Sequence, residues 1–304
     1  MAGERSLPFR YEFAAGAVAG ISEVLVMYPL DVVKTRIQLQ QGQGAGKDAY
    51  KGTIDCFQKI VRNEGFSRLY RGIMLPILME SPKRATKFAA NNGWGKFYLN
   101  LFAMQKMTQP LAILTGASAG ATEALIVVPF ELVKVRLQDK ARAAQYRGPL
   151  DCVVKVVRTE GVLALYNGLE STVWRHIIWN AGYFGCIFQV RAALPPARTK
   201  GQKMRNDLLA GSAGGLMGTI LNTPMDVVKT RIQNAPKGPG IVPKYKWAWP
   251  ALGLVFREEG FKALYKGLVP KLLRFGPGGG ILLVVFQGMM EVFEKFHYGL
   301  APQA

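Results

Sequence analysis

Pro29-Leu30-Asp31-Val32-Val33-Lys34-Thr35-Arg36 recurs as Pro129-Phe130-Glu131-Leu132-Val133-Lys134-Val135-Arg136 and again as Pro224-Met225-Asp226-Val227-Val228-Lys229-Thr230-Arg231. Gln38, Gln138 and Gln233 follow the three copies at one offset. The copies lie roughly 100 residues apart, so each marks a whole supersecondary unit rather than a rung of a solenoid. Each sets a proline, an acid two residues on and two bases beyond it inside an apolar run. Once, that would be a local oddity in a helix. Three times in register, it describes a threefold device.

The repetition extends outward from these stretches. Tyr50-Lys51-Gly52 and Asp55-Cys56 return as Tyr146-Arg147-Gly148 and Asp151-Cys152, with a looser third copy at Tyr245-Lys246-Trp247. Glu64-Gly65 with Leu69-Tyr70-Arg71-Gly72 returns as Glu160-Gly161 with Leu165-Tyr166-Asn167-Gly168, and as Glu259-Gly260 with Leu264-Tyr265-Lys266-Gly267. The chain thus divides into repeats over 9–101, 109–196 and 204–297. Each opens with small residues one turn apart, Gly16/Gly20, Gly116/Gly120 and Gly211/Gly215, a pattern that lets helix backbones approach closely in lipid. The prolines then kink the helices by removing a donor and crowding the preceding turn.

Hydrophobic residues make up 49% of the 304, although the chain carries 39 Lys+Arg against 20 Asp+Glu, so charge and apolar surface are segregated. Apolar-rich segments over 11–33, 72–82, 111–133, 169–190, 207–228 and 268–290 predict about six membrane helices, since roughly 20 helical residues cross a bilayer, with both termini on one side. Glu23, Glu123, Lys83, Arg84, Arg175 and Arg274 interrupt them; ionisable groups at membrane depth face a bundle interior or a wet cavity. Polar stretches at 37–50, 137–149 and 232–246 leave the membrane. The apolar spacing over 51–63, 149–160 and 247–258 predicts short amphipathic helices lying on its surface. The expected fold is therefore an all-α membrane protein of six transmembrane helices in three pseudo-threefold repeats, each with one surface helix.

A formal net charge of +19 suits anionic lipid or an anionic cargo. No nucleic-acid-binding pattern accompanies it. Cys56, Cys152 and Cys186 cannot all pair and have no metal-site spacing, so they read as free thiols. No cofactor or metal is expected. No activated nucleophile or pair of catalytic carboxylates points to an enzyme. Residues 1–12 contain Glu4 and Glu12 and lack an apolar signal core, so an organelle address would be internal. Gly276-Pro277-Gly278-Gly279-Gly280 lacks the Lys-Ser/Thr of a phosphate loop and reads as tight packing in the sixth helix. His297 reads as solvated surface.

The triplicated P-x-[DE]-x-x-[KR]-x-[KR] stretches, with their Glu-Gly and Tyr-x-Gly partners, resemble the mitochondrial carrier family over the full chain. The resemblance implies a multi-pass protein of the mitochondrial inner membrane that moves cargo by alternating access, as a monomer among anionic lipids such as cardiolipin. It implies a matrix gate of ion pairs between successive odd-numbered helices, Asp31–Lys134, Glu131–Lys229 and Asp226–Lys34, with Gln38, Gln138 and Gln233 bracing them. The family's second gate, [YF]-[DE]-x-x-[KR], is eroded. Asn92, Gln189 and Gln287 stand near the places of its acids, leaving closure to packing and amide contacts.

Between the gates, Glu80, Lys83, Arg84, Arg175, His176, Asn180 and Arg274 form the expected cargo site, with Lys87 and Lys271 nearby. Two arginines suit a dicarboxylate, because guanidinium holds carboxylate in a bidentate fork. His176 or Asn180 could donate to a 2-oxo group. A base followed by a polar residue in the fourth membrane helix is similar to family members that carry keto acids. The expected cargo is a 2-oxodicarboxylate such as 2-oxoadipate or 2-oxoglutarate, the alternatives being tricarboxylates, other dicarboxylates or an uncoupler-like proton path.

Overall fold

A computed structural model describes residues 8–40, 49–142, 145–196, 199–235 and 242–298. Residues 1–7, with Glu4, and parts of the polar stretches at 37–50, 137–149 and 232–246 lie outside the described residues. Among those described, nine α-helices run in the order long, short, long, three times over: α1 Phe9–Leu39, α2 Thr53–Glu64, α3 Met74–Leu101, α4 Gln109–Gln138, α5 Pro149–Glu160, α6 Leu169–Ala193, α7 Lys200–Asn234, α8 Ala248–Glu259 and α9 Leu268–Tyr298. A 3-10 turn separates each short helix from the long one after it, at Phe66–Tyr70, Val162–Tyr166 and Phe261–Tyr265.

The long helices pack as a ring in chain order, α9 closing onto α1. By length and apolarity α1, α4 and the stretch containing α9 suffice to cross a membrane. The remaining long helices are diluted by polar groups: Lys83, Arg84 and Lys87 in α3, Arg175 and His176 in α6, and Thr219, Asn222 and Thr223 in α7. At 1.5 Å per residue even the shortest of the six exceeds the ~30 Å hydrocarbon thickness. Pro29, Pro129 and Pro224 lie inside α1, α4 and α7.

Three apolar cores repeat the sequence symmetry. Each joins an odd-numbered membrane helix to its surface helix and 3-10 turn: Val33, Cys56, Ile60 and Leu69 in the first, Val133, Cys152, Val156 and Ala164 in the second, Val228, Ala251, Val255 and Leu264 in the third. Cys56 and Ile60 are one turn apart, so they form the buried stripe of an amphipathic helix. All three cysteines are unpaired. Burial pushes the Cys56 thiol up to about 12 and the Cys152 thiol up to about 11. In α2 and α5 an acid at the third helical position accepts from the backbone before the helix, Asp55 from Lys51 N–H at 2.8 Å and Asp151 from Arg147 N–H at 2.9 Å. The third repeat has Pro250 at that place, and Glu170 of α6 instead accepts from Ala248 N–H at 2.9 Å.

Close approach of helices departs from the expected glycine pattern. A Cβ on Gly116 would lie 2.4 Å from Asn180 Oδ1 and one on Gly120 2.6 Å from His176, so α4 and α6 pack tightly. Gly20 meets Glu80 and Arg84 of α3, but Gly16 and Gly211 have open space around them. In the third repeat Gly214 and Gly218 make the approach, against the backbone carbonyls of Tyr183 and Trp179. The spacing of four is kept and the register moves by three residues, because this face of α7 is rich enough in small residues to offer either pair. Of Gly278, Gly279 and Gly280 in α9, Gly278 packs closely, against Glu23, and the other two are open. His297 lies at the end of α9 and hydrogen-bonds Tyr11 Oη at 3.3 Å rather than standing alone.

Candidate functional site

Asp31, Glu131 and Asp226 each stand two residues after a helix-interior proline, with Lys34, Lys134 and Lys229 three residues on. They join α1, α4 and α7 around the ring. Lys134 Nζ donates to Asp31 at 3.0 Å, Lys229 Nζ to Glu131 at 2.5 Å and Lys34 Nζ to Asp226 at 2.9 Å. This end of the bundle is closed.

The glutamines do not brace these pairs. Gln38 accepts from Thr230 Oγ1 at 2.9 Å, Gln138 donates to Tyr28 Oη at 3.1 Å, and both side-chain polar atoms of Gln233 lack a hydrogen-bond partner. All three are buried by packing, Gln38 against Gly267 and Gln233 against Gly168. A second ionic tier, whose arginines close the three signature stretches, lies beyond the ring. Arg36 binds Glu64 in a fork at 2.9 and 2.7 Å, Arg136 binds Glu160 at 2.5 and 2.8 Å, and Arg231 binds Glu259. Burial pushes the Glu259 carboxyl up, but Arg231 and Lys266 together outweigh it and hold it below the usual range. Arg136 and Arg231 also donate to backbone carbonyls of the next repeat, at Gln233 and Gln38. Arg36 Nε has no partner.

At the other end, Asn92, Gln189 and Gln287 are exposed and make no hydrogen bond among the described residues. The contacts there join adjacent helices only: Tyr98 Oη with Ser118 Oγ at 2.7 Å, Trp94 Nε1 to Thr122 Oγ1 at 3.0 Å, and Arg191 with Asp207 at 2.8 Å. The amide contacts expected of a closed second gate are not formed in this structure.

Above the ring lies a cavity of about 420 Å³ whose lining includes Lys83, Lys87, Arg175, His176, Lys271 and Arg274. Four of the seven expected cargo residues, Lys83, Arg175, His176 and Arg274, therefore meet there. The other three do not. Glu80 accepts from Arg84 Nε at 2.6 Å, one turn away on α3, and the two line a separate apolar slot between α1 and α3. Asn180 is buried, donates to His176 O at 2.8 Å and packs over Gly116. One of its two amide N–H groups is thereby spent within its own helix.

Thr219 and Asn222 of α7 join the lining, and the Asn222 Oδ1 is buried without a partner. Glu23 and Glu123 also face the cavity. Trp179 stacks on Tyr183 with centroids 4.9 Å apart and carries Lys87 Nζ over its ring at 5.9 Å.

The cavity arginines have acids beside them. Arg274 donates to Asp31 at 2.8 Å and to Glu23 at 3.1 Å; Arg175 Nη2 lies 2.9 Å from His176 Nε2, and its Nε is 3.9 Å from Asp226. Lys83 makes no ion pair among the described residues. A net-basic chamber, walled by planar donors and closed at one end by ion pairs, is the site of a membrane transporter for small anions.

Comparison with known proteins agrees. The family described as mitochondrial carrier protein matches residues 5–101, 105–197 and 200–297, and the chain belongs to that family, whose place is the mitochondrial inner membrane. The chain is similar to mitochondrial citrate transporter D of Aspergillus niger, 70% identical over 96% of this chain and 97% of the relative. It is similar to mitochondrial 2-oxodicarboxylate carrier 2 of Saccharomyces cerevisiae, 56% identical over 97% of both. The mitochondrial 2-oxodicarboxylate carrier of Rattus norvegicus is 39% identical over 91% of this chain and 92% of the relative.

Proposed function

We propose that this chain is an antiporter exchanging 2-oxodicarboxylates, 2-oxoadipate and 2-oxoglutarate among them, across the inner membrane, and that it performs no enzymatic chemistry. The observation that carries the reading is the meeting of Arg175, His176, Arg274 and Lys271 in one chamber. Guanidinium groups on α6 and α9 grip one carboxylate each in fork geometry, and His176, whose Nε2 accepts from Arg175 Nη2, orients that guanidinium. Lys83 and Lys87, on α3, draw the anion in from the open end. Three relatives named 2-oxodicarboxylate carriers, at 56–58% identity, support the reading.

In this mechanism the cargo binds with the signature ring closed, and the occluded state forms only if it binds that state more tightly than either open one. The second gate then closes by packing and neutral amides while the ring opens. Anionic lipids surround a single copy of the chain.

A second reading, exchange of a tricarboxylate, is favoured by the 70% identical relative named a citrate transporter; the lysines beyond the arginine pair could hold a third carboxylate. Liposomes containing the purified chain and preloaded with a panel of anions decide between them. Rapid uptake of 2-oxoadipate against internal 2-oxoglutarate, with slow citrate and negligible ADP, is the expected result. Fast citrate exchange without response to 2-oxo acids would overturn it.

A further inference from the structure

The ring acids hold more bases than the ring supplies. Asp226, only 5% exposed, has Lys34 at 2.9 Å and also Lys271 at 2.6 Å, with Arg175 Nε at 3.9 Å. Asp31 has Lys134 at 3.0 Å and also Arg274 at 2.8 Å. Among the described residues only Lys229 stands within ion-pair distance of Glu131. Every surplus base lines the cargo cavity. Moreover, Lys271 Nζ is buried and close to Asp226 yet out of hydrogen-bond alignment, and Arg175 Nε is buried without a hydrogen-bond partner. An ammonium carries three donors, and leaving them unmet in a buried place is costly. These two groups are held by charge and remain open to an acceptor of better geometry.

We propose that Lys271 is a cargo-released latch: in the empty carrier it holds the gate acid Asp226, and an entering carboxylate draws it off. The inference rests on the reading of the chamber as an anion-exchange site. A carboxylate reaching Lys271 offers aligned acceptors that Asp226 does not. Arg274 undergoes the same exchange at Asp31. Once Lys271 and Arg175 both turn to the cargo, Asp226 keeps Lys34, and once Arg274 turns, Asp31 keeps Lys134, the condition in which Glu131 already stands. Cargo binding therefore weakens the closed ring through the residues that bind it. The empty carrier, with both acids held by more than their ring lysine, stays shut, and transport is tied to exchange. Lys271 acts here as a positioning residue for the gate as well as a contact for cargo.

The test compares two rates in liposomes loaded with labelled 2-oxoadipate: efflux into medium containing 2-oxoadipate, and efflux into medium without any counter-anion. In the unaltered chain the first should far exceed the second. In Lys271→Gln the ratio of exchange to unaccompanied efflux should fall about tenfold, because the empty ring now opens. Lys271→Arg, which keeps the charge, should retain most of the ratio.

If both rates in Lys271→Gln fall together with the ratio unchanged, Lys271 only binds cargo and the latch is wrong. A ratio lost in Lys271→Arg overturns it equally, and that variant decides alone if the glutamine protein does not fold. A parallel series loaded with citrate separates the two claims. Failure of the unaltered chain to exchange 2-oxoadipate while exchanging citrate sinks the cargo assignment, and the ratio measured with citrate then tests the latch.

Discussion

Arg274 donates to Asp31 and Glu23 from one side chain, so its removal alters both the cargo chamber and the ring. Arg274→Ala and Arg175→Ala should each lower 2-oxoadipate exchange more than tenfold, the loss of a charged hydrogen bond worth ~1.5–3 kcal/mol. Glu80→Gln should cost only a few-fold, because its carboxylate points at Arg84 outside the chamber. Initial rates in liposomes, normalised to folded carrier, check the set; equal losses in all three would remove the distinction between chamber and slot. Arg175, His176 and Arg274 are legible in the sequence because charge inside an apolar helix needs a reason. Glu80 and Arg84 mislead because residues four apart can satisfy each other, and no sequence pattern tells such a pair from one aimed at a ligand. Thr219 and Asn222 escape notice among the glycines of α7, where small polar residues look like packing.

The turn that starts each even-numbered membrane helix is where glycine is indispensable. Gly168 and Gly267 have φ of +83°, and a Cβ there would press on Gln233 at 2.9 Å and Gln38 at 3.1 Å. Alanine at either position incurs the left-handed penalty of ~1–2 kcal/mol together with displacement of a buried glutamine. Both variants should lower the thermal unfolding temperature in detergent, whereas Gly211→Ala, with open space around it, should leave it unchanged or raise it. A drop for Gly211→Ala as large as for Gly267→Ala would contradict the observed packing register. The helices themselves and their order follow from the triplicated pattern, as do the surface helices from their apolar spacing. The register of close approach does not, since α7 presents Gly211, Gly214, Gly215 and Gly218 and composition alone cannot choose among them. The part of the glutamines is equally hidden: their recurrence marks them as needed, but burial against a glycine and bonding across an ion pair leave the same trace in a sequence.

At the scale of the molecule, three similar repeats meet at three dissimilar joints, and the joint decides which charge swap can succeed. Lys134→Glu should abolish exchange, yet adding Asp31→Lys should recover little, because the new lysine would face Arg274 where Asp31 now stands 2.8 Å from it. Lys229→Glu with Glu131→Lys is the swap expected to recover a measurable part of the rate, since no third base lies within ion-pair distance of Glu131 among the described residues. Exchange rates of the four single and two double variants measure these couplings directly; equal recovery at both joints would mean that the surplus bases carry no weight. The ring itself is written in the repeats. Its unevenness is not, because Lys271 and Arg274 come from α9 and meet Asp226 and Asp31 only once the bundle has closed. The buried Arg–Glu forks have a mechanical consequence of their own. Arg36, Arg136 and Arg231 clamp the surface helices to α1, α4 and α7 through Glu64, Glu160 and Glu259, and the three apolar cores fill the same joints. Breaking such a clamp costs roughly 3–5 kcal/mol. The chain is thus geared as three stiff levers, and opening the ring swings each lever whole, carrying its surface helix through an arc.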